Sequence, residues 1–600
     1  MTTAPSPTDL AGSVATFRIF ANETELDSTY EIAAIDVWDG VNKLPKARLI
    51  ISDGDPASET FPISETDSLI PGAALEIRLG YDGHEATVFD GVIYRQGLDI
   101  RQNGPSRVIV EATDKAMAMT LARKNAIFEN TTDSQVIETL ISSSGLSASV
   151  TATSVTQPAI VQYYSSDWDL MLIRAQLNSM VVTAAAGKVT VAPPDTTQSP
   201  VLTLAYGQSI LDFRAAMDAS TQYTAASIQS FAWDPATQAI SQSGSATATE
   251  AKQGNISSDD LAAVFNVAQY PQQTGGTLDQ ANLTNWSSSE LLKARLAKIR
   301  GEVRFQGNAL PKPGCMVTLE GLGDRFNGDG YVSALHHRLT SGFWTTALEI
   351  GLSPDWFSAT APHVAAPGAA GQLPPVANLQ TGIVMKINDD PDGEYRVQVQ
   401  LPLLQAGNMA VWARLGSFYA SNGIGAEFYP EVGDEVVVAF MNGDPRFPII
   451  VGSLYSKKNP PPVPPDAKNS QKSIVTRAKL RIDFFEEDPT VEISTPAGQK
   501  VRLDDKANSV TVKDMNGNTV TLDSSGITAD SASNMTLTAK GNISITAQGS
   551  LSLKANANVS IEGLQVAAKA DTSFSAQGSA EAKLLSSAMV TIQGGLVKIN

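Results

Sequence analysis

Between Ile527 and Ile561 apolar residues recur in pairs every eight residues: Ile527/Ala529, Met535/Leu537, Ile543/Ile545, Leu551/Leu553 and Val559/Ile561. Residues two apart share one face of an extended chain, so each pair reads as one side of a short strand. Gly541 and Gly549 mark bends, and Asn534, Asn542, Ser550 and Asn558 stand just before each new pair. Eight residues are too few for one chain to close a coil around its own apolar interior, since single-chain solenoids use several such units per turn. Neighbouring copies must supply the remaining sides. The simplest solution is three chains wound into a prism, a triple-stranded intertwined β-helix. In it Ile527, Met535, Leu537, Ile543, Ile545, Leu551, Leu553, Val559 and Ile561 form the trimer core.

Looser pairs precede the octads, at Val491/Ile493, Val501/Leu503, Val510/Val512 and Val520/Leu522, with Asp504-Asp505 and Asn516-Gly517 as turn chemistry between them. After Gly563 the frame slips, and the last expected pairs are Leu564/Val566, Phe574/Ala576, Val590/Ile592 and Val597/Ile599. The rod is therefore expected over 491–600.

Six hundred residues imply several domains, each with its own core. The single cysteine, Cys315, excludes an intrachain disulfide and suits a reducing compartment. The opening residues Met1 to Ser6 lack a basic stretch and an apolar core, so no signal peptide is expected, and no apolar run has the length of a membrane span. A net charge of −19 argues against wrapping nucleic acid, which needs Lys and Arg in excess.

Residues 14 to 112 read as strands, including Thr16–Ile19, Ala47–Ile51, Leu75–Leu79 and Arg107–Glu111. A helix over Ser134–Ser144 buries Val136, Ile137, Leu140 and Ile141, with Thr132 or Asp133 as N-cap and Gly145 after its end. A second helix follows Ser165-Ser166-Asp167, placing Trp168, Met171, Leu172 and Ala175 on one face. A third is expected from a capping box at Ser287 and Glu290, ending at Lys298 and Arg300. Strands resume from Gly301 to Gly351. The boundaries follow composition: 1–358, an Ala/Pro/Gly linker at 359–377, a compact β-unit at 378–457, a Pro-rich spacer and neck at 458–490, and the rod.

The β-unit holds the most specific local pattern. The run from Gly433-Asp434-Glu435 through Phe440, Gly443-Asp444-Pro445 and Pro448 to Gly452-Ser453-Leu454-Tyr455 resembles the VgrG family, whose OB-fold barrel reads G-D-E-V then G-D-P, P-I-I and G. Ser166 to Ala175 is similar to that family's SDWD helix, and Gly330 to His337 to a strand of its second barrel. This family comprises the trimeric spikes of contractile injection machines: type VI secretion, phage tails and free phage-like particles. The resemblance implies a mainly β homotrimer with a two-barrel hub carrying a few helices at 1–358, an OB-fold collar and a β-helix needle. It implies a hexameric tube protein and baseplate proteins as partners, transient contact with a target membrane, and room for effector cargo. It further implies assembly in the bacterial cytoplasm and action outside it.

The chain departs from some members. Residues 458–490 are too few for an inserted lysozyme domain, and after His363 there is no His or Cys to hold an iron-stapled tip. The sequence stops on the needle, so Leu596, Val597, Ile599 and Asn600 are expected to bind a separate PAAR-type tip protein. No catalytic, metal or cofactor residue is assigned. The adjacent His336 and His337 face opposite ways on a strand and do not converge on one ion. His84 lacks the second histidine of a zinc-protease helix. Asn388 to Glu394 reads as a hairpin turn, Glu486-Glu487-Asp488 as a solvated bend and Cys315 as a buried thiol. A structural spike without enzymatic activity is the leading reading. A spike that also degrades cell wall, and a receptor-binding β-helical adhesin, are the alternatives.

Overall fold

The computed structural model describes residues 4–9, 11–12, 14–404, 407 and 409–599. Strand outweighs helix, 37% to 12%, so the chain is mainly β as expected. It divides into two compact units, Met1–Leu454 and Tyr455–Asn600. Among the described residues no helix is long and apolar enough to cross a membrane.

The first unit is built on one sheet of thirteen strands. All four expected strands lie in it, extended at their ends to Ala15–Ala21, Lys46–Ser52, Ala74–Tyr81 and Arg107–Thr113. Two apolar cores sit on this sheet. One gathers Ile35, Leu49, Ile51, Leu75, Ile77, Val108 and Val110; the other gathers Leu204, Val303, Phe305, Val317, Leu319 and Leu348. Each fully buried aliphatic side chain contributes about 1.5–3 kcal/mol. Strand Gly328–Thr340 joins the two halves by pairing antiparallel with Ile32–Gly40, His336 opposite Trp38 and His337 opposite Val37.

Helix α1, Asp133–Ser143, starts at a capping box between Thr132 and Gln135, and Gly145 follows it at φ 73°. A residue with a side chain rarely takes that left-handed conformation, so glycine ends the helix there. Helix α2, Asp167–Leu177, is capped by Ser166, whose hydroxyl accepts from the Asp169 N–H at 3.1 Å. Together α1 and α2 pack Val136, Ile137, Leu140, Met171 and Leu172 against Val182 and Val189. Helix α3 runs Ser258–Phe265.

Helix α4 corrects the sequence reading. It runs Gln280–Leu296, and Asp279 caps it, accepting from the Asn282 N–H at 2.7 Å. Ser287 lies two turns inside, buried, its hydroxyl donating to the Thr284 carbonyl. Glu290 reaches the Trp356 indole N–H at 2.6 Å instead of a cap, and Arg300 belongs to strand Ile299–Gln306. The first turns, Gln280 to Asn285, are polar apart from Ala281 and Leu283, so no apolar stripe announced them.

A closed five-stranded barrel follows, made of Gln380–Lys386, Val397–Gln400, Val411–Leu415, Glu435–Phe440 and Pro448–Ser453. Parallel pairing of Arg414 with Ile449 closes it. Val384, Val397, Val399, Ala413, Val436, Val438 and Ile450 fill it at 0% exposure, one face of each alternating strand turned inward.

The second unit holds a seven-stranded antiparallel meander from Gln471–Val475 to Gly526–Asp530. Its first two strands, Gln471–Val475 and Arg481–Phe485, lie in the segment read as spacer and neck, so the ladder begins upstream of Val491. The pair Ile482/Phe484 is of the same kind as the later ones, but the prolines at 460–465 masked it.

Candidate assembly surface

The collar motif is a set of turn and barrel devices. Gly433 sits at φ 93° and donates to the Val384 carbonyl at 2.8 Å, while the Asp434 carboxylate accepts from the Glu431 N–H at 2.9 Å. Glu435 to Phe440 pair with Pro448 to Ser453, Phe440 opposite Pro448 and Val437 opposite Gly452. The reversal between them is held by Asp444. Its carboxylate accepts the Arg446 backbone N–H at 2.9 Å and the Arg446 guanidinium at 2.7 Å. That guanidinium holds the Asp444 carboxyl below the usual range. Gly443, at φ 68°, lets its carbonyl accept from the Val376 N–H. Pro445 lacks an N–H and fits the turn.

In the meander the apolar pairs line up across strands. Ile482 stands opposite Ile493, Ile493 opposite Val501, Val501 opposite Val512, Val512 opposite Val520, and Val520 opposite Ala529. This face is open: Ile493 is 47% exposed and Leu503 46%. The opposite face is polar and more buried, with Asp483 at 3% and Glu492 at 9%. Arg481 binds Asp483 at 2.8 Å, Lys500 binds Glu492 at 2.9 Å, and Arg502 bridges Glu492 and Asp504. Hydrogen bonds from Arg481, Ser473 and Gln471 hold the Asp483 carboxyl down at about 2. The sheet thus shields its charges and leaves its valines exposed, a pattern opposite to that of a lone soluble sheet. The apolar stripe stands out in the sequence, whereas the ion ladder is far less conspicuous there. Alternating Arg/Asp and Lys/Arg/Asp positions at 481–483 and 500–504 were its visible signal.

Among the described residues 531–599 there is no strand, and no backbone-to-backbone hydrogen bond joins two of them. The chain bends at 532–533, 540–541, 548–549 and 556–557, then at 564, 571–572, 579–580, 587–588 and 595–596. The expected core positions are all exposed in a single chain: Met535 56%, Leu537 74%, Ile543 56%, Ile545 63%, Leu551 59%, Leu553 69%, Val559 60%, Ile561 69% and, on the last meander strand, Ile527 75%. The slip after Gly563 is a single residue, after which the octads resume. Phe574/Ala576 and Val590/Ile592 keep their places, joined by Val566/Ala568 and Ala582/Leu584. Leu564 falls on a bend and breaks the expected pair Leu564/Val566. Leu596 is likewise on a bend, and Val597 and Ile599 fall on the parity opposite to the stripe. Small Ala residues in stripe positions hid this register from the sequence. Asn600 lies outside the described residues.

The remaining candidates are structural parts. His336 Nε2 lies 2.8 Å from Asp36 and its ring stacks on Trp38, whereas His337 is buried with Nδ1 2.9 Å from the Thr346 hydroxyl. Desolvation lowers the His337 pKa to about 3. Cys315 is buried and its thiol pushed up by desolvation. His84 opens a hairpin opposite Tyr81. Asp390 closes the 388–394 turn by accepting the Glu394 and Arg396 N–H groups at 2.9 and 3.1 Å, and Glu486 to Asp488 link two meander strands.

Two family models match the chain. The Alg8 N-terminal domain covers residues 11–341, more than half of it, and the type VI secretion system/phage-baseplate injector OB domain covers 380–455. The second contains the Gly433–Tyr455 run, which bears out the resemblance to VgrG spikes. Among curated relatives, the type VI secretion system spike protein VgrG4b of Pseudomonas aeruginosa is 35% identical over 96 residues, 15% of this chain and 12% of the relative. The actin cross-linking toxin VgrG1 of Vibrio cholerae is 36% identical over 75 residues, 12% of this chain and 7% of that protein. The chain thus aligns with only a small part of the curated relatives. A prophage MuSo2 43 kDa tail protein from Shewanella oneidensis superposes with TM-score 0.42 and 10% identity, over 57% of this chain and 98% of the other.

Proposed function

Since the chain belongs to the Alg8 N-terminal domain family and carries an injector OB domain behind that region, we propose that it is the homotrimeric central spike of a contractile injection system. On this reading the residues before the linker at 359–377 form the hub that meets the hexameric tube and baseplate proteins, the barrel is the collar, and the octads are the needle. One observation carries the reading: from Met535/Leu537 to Val590/Ile592 the octads leave their stripe positions exposed, and among the described residues 531–599 no intrachain backbone ladder forms. Backbone groups of an ordered strand require partners, and here only other chains can supply them. Three identical stripes meeting on an axis cover the pairs and leave few free edges, which suits an element loaded along its length.

The spike acts through shape, and toxin activity belongs to relatives such as the one named above. A PAAR-type tip protein docks at Leu596–Asn600, where Leu596 and Ile599 are exposed. Effector cargo travels with the same assembly. The protein is assembled in the bacterial cytoplasm and works at a target envelope.

The test is genetic and visual. In a strain that makes such particles, removing this chain should abolish assembled tubes and sheaths, and labelled antibody should mark one end of each particle. Particles of normal length and number without the chain would overturn the reading. Hydrolysis of peptidoglycan by the purified protein would favour the enzymatic alternative.

A further inference from the structure

The second unit changes its way of pairing at one place. From Gln471 to Asp530 every strand is bonded to strands of its own chain, in registers fixed by short turns. The pairing ends at Thr519 opposite Asp530, and just beyond it the Asn518 side-chain carbonyl accepts from the Ser531 hydroxyl and the Ala532 N–H, both at 3.0 Å. Past Ala532, among the described residues, no backbone-to-backbone bond within the chain holds the octads, though their apolar rhythm continues to Val590/Ile592.

The two segments therefore need a partner copy for different things. The meander needs one only to cover the face bearing Ile482, Phe484, Ile493, Leu503, Val512 and Leu522; its backbone is already paired and its polar face already tied by Arg481–Asp483 and Lys500–Glu492. Its contacts are local hairpins, which form quickly. The octads need a partner for every backbone bond as well. Ordering them in a lone chain costs conformational entropy with no backbone ladder to offset it. Octads that share one apolar rhythm also specify axial register less strongly than the short turns of the meander do, so the meander is the better element to set the height of each chain.

Resting on the trimer reading above, we propose that the needle assembles in two steps. Copies of this chain first dock through the apolar face of 471–530, which fixes their relative height. Residues 531–599 then pair between chains from Ala532 towards the tip. The docking surface is thus the meander face, its occupant a second copy of the same face.

The experiment is refolding of the full chain from denaturant, with pulsed amide deuterium labelling read by peptide mass. Amides of 471–530 should gain protection in a concentration-dependent phase that coincides with trimer formation. Those of 531–599 should follow in a phase independent of concentration, the octads near Ala532 before those near Ile592. Protection of 531–599 together with or before 471–530 would overturn the order. Two matched variants give a second measure. Leu503→Ser should slow trimer formation about tenfold, whereas Leu553→Ser should change it by less than about twofold and speed needle opening instead. Equal slowing by both would overturn it too. If Leu503→Ser does not fold, the order of protection in the unmodified chain still decides the matter. A chain that stays single with both segments unprotected refutes the trimer itself; a trimer with reversed order refutes only the assembly sequence.

Discussion

Ile545→Ser is the perturbation that most directly weighs the apolar axis. Ile545 is 63% exposed in one chain, so roughly two thirds of its transfer free energy is unrealised there. Full burial of such a side chain is worth about 1.5–3 kcal/mol, so closing the axis adds about 1–2 kcal/mol per chain and about 3–6 kcal/mol per trimer. Three serine hydroxyls left without partners on the axis add a cost of about 1–3 kcal/mol each. Ser544, one residue away, points to the other face, and Ser544→Ala should change stability by less than about 0.5 kcal/mol per chain. Global unfolding of so large a chain is not two-state, so the readout must be local. Protease resistance of 531–599 across a urea series serves, with the transition midpoint scored for each variant. Ile545→Ser should lower the midpoint well beyond Ser544→Ala. Equal midpoints would refute the claim that Ile545 faces an apolar axis.

Three further outcomes follow from the packing. His337 is held neutral, its folded pKa lowered to about 3, so its contribution is complete above about 6.5 and is lost as pH falls from there towards 3; His337→Gln should flatten the acid-induced loss of stability of the first unit in that window, measured by circular dichroism. Asp483 is lowered to about 2, so its contribution is present above about 4 and lost as pH falls towards 2; Asp483→Asn should remove that part of the meander's acid sensitivity, seen by amide exchange at 481–494. Gly307→Ala would set a Cβ 2.0 Å from the Trp344 ring, and the overpacking should cost about 1–3 kcal/mol, read from thermal unfolding of the first unit.

Sequence periodicity was legible wherever one face repeats. The strands at 15–21, 46–52, 74–81 and 107–113, the caps at Thr132 and Ser166, and the octads to Val559/Ile561 all follow from local pattern and turn chemistry. The start of α4 was not legible, because Asp279 leads into polar residues and Ser287 offers a better-looking cap that tertiary packing buries. The pairing of 328–340 with 32–40 was out of reach for a different reason: it joins residues about three hundred apart, and no local signal records it. The octads after Gly563 were blurred because Ala568 and Ala582 mark the stripe too weakly. Of the assembly surface, the apolar half could be read from the chain, while the ion ladder behind it needed the cross-strand registers.

The central claim is that the octads are completed only by sister copies. Native mass measurement of the intact protein, paired with amide exchange over 531–599, tests it most directly. A mass of three times 63.3 kDa with those amides protected is the expected result. A mass of 63.3 kDa with rapid exchange throughout the segment would contradict it.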